Sequence, residues 1–169
     1  MELISLIGAS GSGKTSLLRA LQASDAGKPF QFIYFDDIFA ETEFSPATTK
    51  LKGEEWQRQA TLAWCRRIAA KGGKVTLLDG QTRFSFIEEG CRMAGLALAR
   101  VILIDCDNDT RRQRLGLRGQ PELADRQMMD WAQWLRNDAL KNGLEIFDTS
   151  GKLLEESLSE LAAVITSKI

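Results

Sequence analysis

Residues 8–15 read Gly8-Ala9-Ser10-Gly11-Ser12-Gly13-Lys14-Thr15, and this stretch decides how the rest of the chain is read. It fits G-x-x-x-x-G-K-[ST] at every fixed position. It follows the short apolar run Leu3–Ile7 and precedes a segment with Leu17, Leu18 and Leu21 at helical spacing. Strand, glycine-rich turn and helix in that order make an anion cradle. The glycines let successive backbone N–H groups turn inward, and the helix N-terminus adds the positive end of its dipole. In such a cradle Gly8, Ser10, Gly11, Ser12 and Gly13 surround a polyphosphate. Lys14 reaches the β- and γ-phosphates, and the Thr15 hydroxyl ligates Mg²⁺. ATP with Mg²⁺ is the expected ligand pair; the loop does not encode a choice between adenine and guanine.

Outward from the loop, short apolar runs alternate with helical segments. After the first helix (Thr15–Ala23), Lys28-Pro29 breaks the pattern and Phe30–Phe35 reads as a second strand. A loop over residues 41–53 leads to a helix from Glu54 to about Ala70, with Trp56, Ala60, Ala63, Trp64 and Ile68 on one face. Val75–Leu78 is a third strand, Phe84–Ala94 a helix closed by Gly95, and Arg100–Ile104 a fourth strand. The basic stretch 110–120 leads to Pro121, which opens a helix running to Lys141. Leu144–Phe147 is a fifth strand. A last helix spaces Leu154, Leu158, Leu161 and Ile165 for one face. Five strands separated by helices predict a three-layer α/β domain, a parallel sheet covered on both faces, occupying residues 1–169 as a single domain.

Composition narrows the function classes. The 169 residues carry 22 Lys+Arg against 23 Asp+Glu, so no global charge points to a nucleic-acid or membrane partner. No apolar run approaches the ~20 residues of a bilayer span, and the first residues lack a signal peptide's basic region. Cys65, Cys91 and Cys106 show no paired spacing and read as reduced thiols, which suits a cytoplasmic protein. The chain has no histidine, which excludes imidazole catalysis and His-ligated metal; acid–base chemistry falls to carboxylates, lysine or hydroxyls.

Phosphoryl transfer needs a metal-positioning acid, a group that orients the attacking oxygen, and cations over the transferring phosphate. In an open parallel sheet these lie at the carboxyl ends of strands. Asp36 and Asp37 follow the second strand; one is a candidate base, favoured as Asp36, and the other addresses Mg²⁺ or the acceptor. Helix capping or solvated loop acids is the plainer alternative for the pair. Asp79, at the end of the third strand, reads as a metal-positioning acid, or else as the turn-forming half of Asp-Gly. Gln81 and Arg83 follow it as acceptor-binding candidates. Arg111, Arg112, Arg114 and Arg118 form a cluster with the character of a mobile lid near 111–121, or else a solvated helix face paired with Asp107, Asp109 or Glu122. Trp131, Trp134, Met128 and Leu135 read as a helix's core face.

These features together resemble the P-loop small-molecule and nucleoside-monophosphate kinases, the group of shikimate, gluconate and adenylate kinases. The segments that carry the resemblance are residues 8–15, the acids of YFDDIF, LLDGQTR, RRQRLGLRGQP and the late FDTS. It implies a sheet of order 2-3-1-4-5 and transfer of the ATP γ-phosphate to a small acceptor. Asp79 and Arg83 match the D-G-x-P-R stretch of nucleotide kinases, with Thr82 where the proline stands. By the same resemblance the lid arginine is Arg118 and, less closely, Arg114, while Thr149 and Ser150 flank the adenine.

A regulatory GTPase would need N-K-x-D and D-x-x-G, which are absent. Motor, transporter and AAA-type ATPases are usually longer and act as oligomers with arginines in trans, and a lone 169-residue domain without their signatures speaks against them. The expectation is therefore a phosphotransferase, monomer or homodimer, with a small-molecule acceptor. An ATP-binding switch or assembly protein is the alternative, and it predicts nucleotide binding without acceptor-stimulated turnover.

Overall fold

In the computed structural model, which describes residues 2–166, the first strand β1 (Glu2–Ile7) is buried along its length past Glu2. That continuous burial is the signature of a parallel strand covered on both faces, where each enclosed Leu or Ile side chain contributes about 1.5–3 kcal/mol. Chain order then runs α1 (Lys14–Ala23), β2 (Gln31–Tyr34), α2 (Gly53–Lys71), β3 (Thr76–Gly80), α3 (Phe84–Ala94), β4 (Ala97–Asp105), α4 (Asn108–Leu117), α5 (Arg126–Lys141), β5 (Glu145–Asp148) and α6 (Leu154–Thr166). The strands form one five-stranded parallel sheet of order β2-β3-β1-β4-β5, with helices on both faces, as the resemblance implied.

Packing groups the chain into two units: β1 with residues 30–101, and residues 8–29 with those from 102 onward. In the first, β3 lies between β1 and β2, with Asp79 in register with both Leu6 and Tyr34. Helices α2 and α3 pack together through Ala60, Leu62, Cys65, Ile87 and Cys91. In the second, β4 and β5 pair in parallel with Asp105 opposite Asp148, and Leu17, Leu21, Leu161 and Ile165 are fully enclosed where α1 and α6 meet.

Several expectations shift. The second strand stops at Tyr34, because Phe35–Ala40 winds into a 3₁₀ helix that buries Phe35 and Ile38. The third strand runs on through Asp79 and Gly80, which removes the turn reading of that pair. Residues 121–141 are not one helix: Pro121–Leu123 is a 3₁₀ turn, and α5 starts afresh where Asp125 accepts the Met128 N–H at 2.7 Å. The core face of α5 is Ala132, Leu135 and Ala139. Trp134 is 42% exposed and stacks on Trp131 at 5.2 Å, so the tryptophans do not form that face. Trp56 and Trp64 on α2 are half-buried, their indole N–H groups donating to Phe44 and Phe35 carbonyls. Leu154, at the first position of α6, is exposed. All three cysteines are free and buried, and no helix among the described residues is long and apolar enough to cross a membrane.

Candidate functional site

The chain leaves β1 at Gly8 and re-enters regular structure at Lys14, so Gly8–Thr15 spans the turn from strand to helix as the motif requires. Gly8 has no room for a side chain: a Cβ there would stand 2.3 Å from the Ile104 carbonyl oxygen. Lys14 is buried and its Nζ donates to Ala9 O at 3.3 Å, a long bond that a phosphate oxygen can replace. Thr15 is half-buried in the first turn of α1. The Ser12 hydroxyl is buried and has no hydrogen-bond partner among the described residues. A buried hydroxyl without a partner costs about 1–3 kcal/mol.

Side chains from farther along the chain hold the outside of this loop. Arg111 is fully enclosed; its Nη1 donates to Ser10 O at 2.8 Å, and its Nη2 to Asp105 Oδ1 at 2.9 Å and Cys106 O at 3.2 Å. The Cys106 thiol meets Gly11 O at 3.6 Å, and burial pushes its pKa up, so it stays a protonated donor. Arg114 donates through Nη1 to Ser12 O at 3.1 Å and to the Thr149 hydroxyl at 2.7 Å, and through Nη2 to Thr149 O at 2.9 Å. Thr149 is buried; its hydroxyl lies 2.9 Å from Ser12 O and 3.0 Å from Asp105 O. Ser150 accepts the Asp107 N–H and donates to Asp148, joining the start of α4 to the end of β5. Arg111, Cys106, Arg114 and Thr149 thus brace the loop carbonyls, a role for Thr149 beyond the adenine-flanking one that the resemblance implies for it and Ser150.

The arginine cluster divides. Arg112 is exposed and pairs with Asp109 at 2.8 Å, as the plain helix-face reading expected. Arg118 caps the C-terminus of α4, exposed, its Nε on Gln120 Oε1 at 2.5 Å. Arg111 and Arg114 are anchored, whereas Arg112 and Arg118 are exposed.

Sequence reasoning missed Asp105. It ends β4 as Asp79 ends β3, and an acid closing the run RVILI was the available signal. Both of its oxygens are committed: Oδ1 accepts from Arg111 and the Cys106 N–H, and Oδ2 from Arg136 Nε at 2.8 Å and Nη2 at 2.7 Å. Breaking such a buried pair by removing one partner costs about 3–5 kcal/mol.

In the other unit Asp79 is buried, 5% exposed, at the carboxyl end of β3. Asp36 and Asp37 lie in the first turn of the Phe35–Ala40 3₁₀ helix and both are exposed. Neither carboxylate therefore carries a burial cost. In a 3₁₀ helix residues i and i+3 eclipse, which puts Asp36 and Phe39 on one edge. The Phe39 ring stacks on Trp56 at 5.3 Å. Arg83 bonds to Glu54 at 2.8 Å and Gln57 at 3.5 Å, and Gln57 Nε2 donates to Gln81 O at 2.7 Å, so α2 backs the segment after β3. The buried Thr82 hydroxyl pairs with that of Thr61 at 2.7 Å.

A strand–phosphate loop–helix unit within a parallel sheet of order 2-3-1-4-5 defines a P-loop protein of the small-molecule-kinase fold. The AAA domain family model (AAA_18) matches residues 4–135, and the chain belongs to that family. The AAA name is the one that length and missing signatures spoke against; it designates a domain family and not a reaction. Solved structures share the fold. A shikimate kinase from Acinetobacter baumannii, in complex with shikimate, is similar at TM-score 0.67 and 16% identity, over 98% of this chain and 93% of its own. A sugar kinase from Janibacter sp. HTCC2649 gives 0.66 and 14%, over 99% and 95%. A gluconokinase from Sinorhizobium meliloti 1021 gives 0.63 and 17%, over 97% and 95%. No curated protein matches the sequence.

Proposed function

We propose that the chain is an ATP-dependent phosphotransferase that moves the ATP γ-phosphate to a small-molecule acceptor bearing a hydroxyl or a monophosphate. The observation that carries this reading is the Gly8–Thr15 loop, set between a buried strand and α1 with the Lys14 ammonium held inside the turn. The orphaned Ser12 hydroxyl and the long Lys14 bond fit a polyphosphate ligand. Thr15 and Asp79 offer the hard oxygens Mg²⁺ prefers, with Asp36 as a further carboxylate; when bound, the ion neutralises charge on the phosphates.

In this account the loop amides and Lys14 hold the triphosphate, and Arg114 acts from the loop's outer side. Asp36 takes the proton of an acceptor hydroxyl. Its 3₁₀ edge is shared with the Phe39–Trp56 stack, which favours it over Asp37, left to bind the acceptor with Gln81 and Arg83. Arg118 closes over the transferring phosphate and balances its charge. If the acceptor is a monophosphate, Arg83 binds it and no general base is needed. Thr149 and Ser150 would lie beside the nucleotide base. The buried, unbridged thiols suit a cytoplasmic enzyme, monomer or homodimer.

The test is a metabolite screen for acceptor-dependent ADP release with ATP and magnesium. One acceptor that raises turnover supports the kinase. Nucleotide binding with turnover that no acceptor alters favours the switch reading. Asp36→Asn is expected to keep nucleotide affinity and lower transfer to a hydroxyl acceptor by about 10²–10⁴-fold; transfer at the wild-type rate refutes the base assignment.

A further inference from the structure

The carbonyls of four successive loop residues are all gripped by side chains. Lys14 takes Ala9 O, Arg111 takes Ser10 O, the Cys106 thiol takes Gly11 O, and Thr149 with Arg114 takes Ser12 O. No cis peptide occurs among the described residues, and in a trans peptide the next residue's N–H points opposite to the carbonyl. Pulling Ser10 O and Ser12 O outward therefore turns the Gly11 and Gly13 N–H groups the other way, into the turn. The collar fixes the amide directions that an anion needs before any anion arrives.

Arg111 is the member whose burial requires an explanation. It is 0% exposed, its Nε has no hydrogen-bond partner among the described residues, and its stem runs so close under the loop that a Cβ on Gly11 would stand 2.9 Å from Arg111 Cγ. Three arginines crowd this corner, since Arg114 grips the Ser12 carbonyl and Arg136 shares Asp105; among the described residues Asp105 is the carboxylate that Arg111 meets, and Asp107 and Asp148 add negative charge nearby. A buried guanidinium is costly, and a packed apolar side chain generally serves stability as well. That cost is rational if the guanidinium is needed to hold the loop carbonyl in place.

We infer that Arg111 is a positioning residue: locked to Asp105, it holds Ser10 O outward and aims the Gly11 amide for polyphosphate. This rests on the reading that the loop binds a nucleoside triphosphate. Arg136 is the internal control, because it bonds the same carboxylate and has no hydrogen bond or ion pair with the loop among the described residues.

The experiment titrates the full chain with ATP and magnesium, and separately with inorganic tripolyphosphate, by calorimetry, while thermal unfolding is followed in parallel. Wild type is measured first. Arg111→Met is expected to weaken both ligands about ten- to a hundredfold. Arg136→Met is expected to lower the unfolding temperature yet keep both affinities within about threefold. Arg111→Lys, which keeps the charge but cannot span Ser10 O and Asp105 together, is expected to fall between wild type and Arg111→Met. It carries the comparison with Arg136→Met should Arg111→Met fail to fold. Affinity within about threefold of wild type for the folded Arg111 variants overturns the inference, and so does an equal loss in Arg136→Met, which would make the role only structural. Wild type that binds neither ligand overturns the loop reading and this inference with it; wild-type binding with unaffected variants overturns this inference alone.

Discussion

Gly8 shows how much a single position can decide. Its missing side chain lets the loop pass the end of β4, where a Cβ would lie 2.3 Å from backbone oxygen. Backbone cannot yield as a flexible side-chain tip can, so Gly8→Ala is expected to cost about 2–4 kcal/mol, read by urea unfolding. Thr149 is the second such position. Its hydroxyl contacts Ser12 O, Asp105 O and Arg114, and Thr149→Val leaves those groups short of a partner. The expected loss is about 1–3 kcal/mol in the same measurement, together with weaker nucleotide binding; unchanged values would deny Thr149 its bracing role. The motif residues were legible because glycine, lysine and threonine at fixed spacing admit few other readings. Asp105 was not, because an acid ending a strand looks the same in sequence whether it meets a metal or two arginines.

At the scale of elements, the sheet, its strand order and most helices were legible from apolar period. The boundaries were not, wherever side-chain packing overrides propensity. Phe35 continues an apolar run in sequence but turns inward as the first residue of a 3₁₀ helix, and that shift brings Asp36 and Asp37 into solvent. On α5 the tryptophans have core composition but not core placement. Leu135→Ala is therefore expected to cost about 2–5 kcal/mol. Trp134→Ala is expected to cost much less, and equal losses would contradict the assigned face. Helix α4, which carries Arg111 and Arg114, is capped by Asp107, whose carboxylate accepts the Thr110 N–H at 2.7 Å. The Thr110 backbone bond, with help from side-chain hydroxyls, holds this acid below its ordinary 3.8. A carboxyl lowered on folding stabilises above its unfolded pKa, and that contribution fades as pH falls through the folded one. The acid arm of the stability curve should thus be shallower in Asp107→Asn, which cannot titrate, than in wild type; identical acid arms would deny Asp107 that share.

For the molecule as a whole, each packed unit carries its own set of candidate residues. Residues 8–29 with those from 102 onward carry the loop, its collar and Arg118, and β1 with residues 30–101 carries Asp36, Asp37, Asp79, Gln81 and Arg83. Structural likeness at 14–17% identity speaks to the shared fold and not to a shared reaction. The central claim is that the amino-terminal loop binds a magnesium nucleotide through Lys14 and its amides. Thermal unfolding of wild type and Lys14→Ala with and without ATP and magnesium tests it most directly. Ligand at a hundred times its Kd should stabilise wild type by about 2.7 kcal/mol and leave Lys14→Ala nearly unmoved. Equal stabilisation of both proteins, or of neither, would contradict the account.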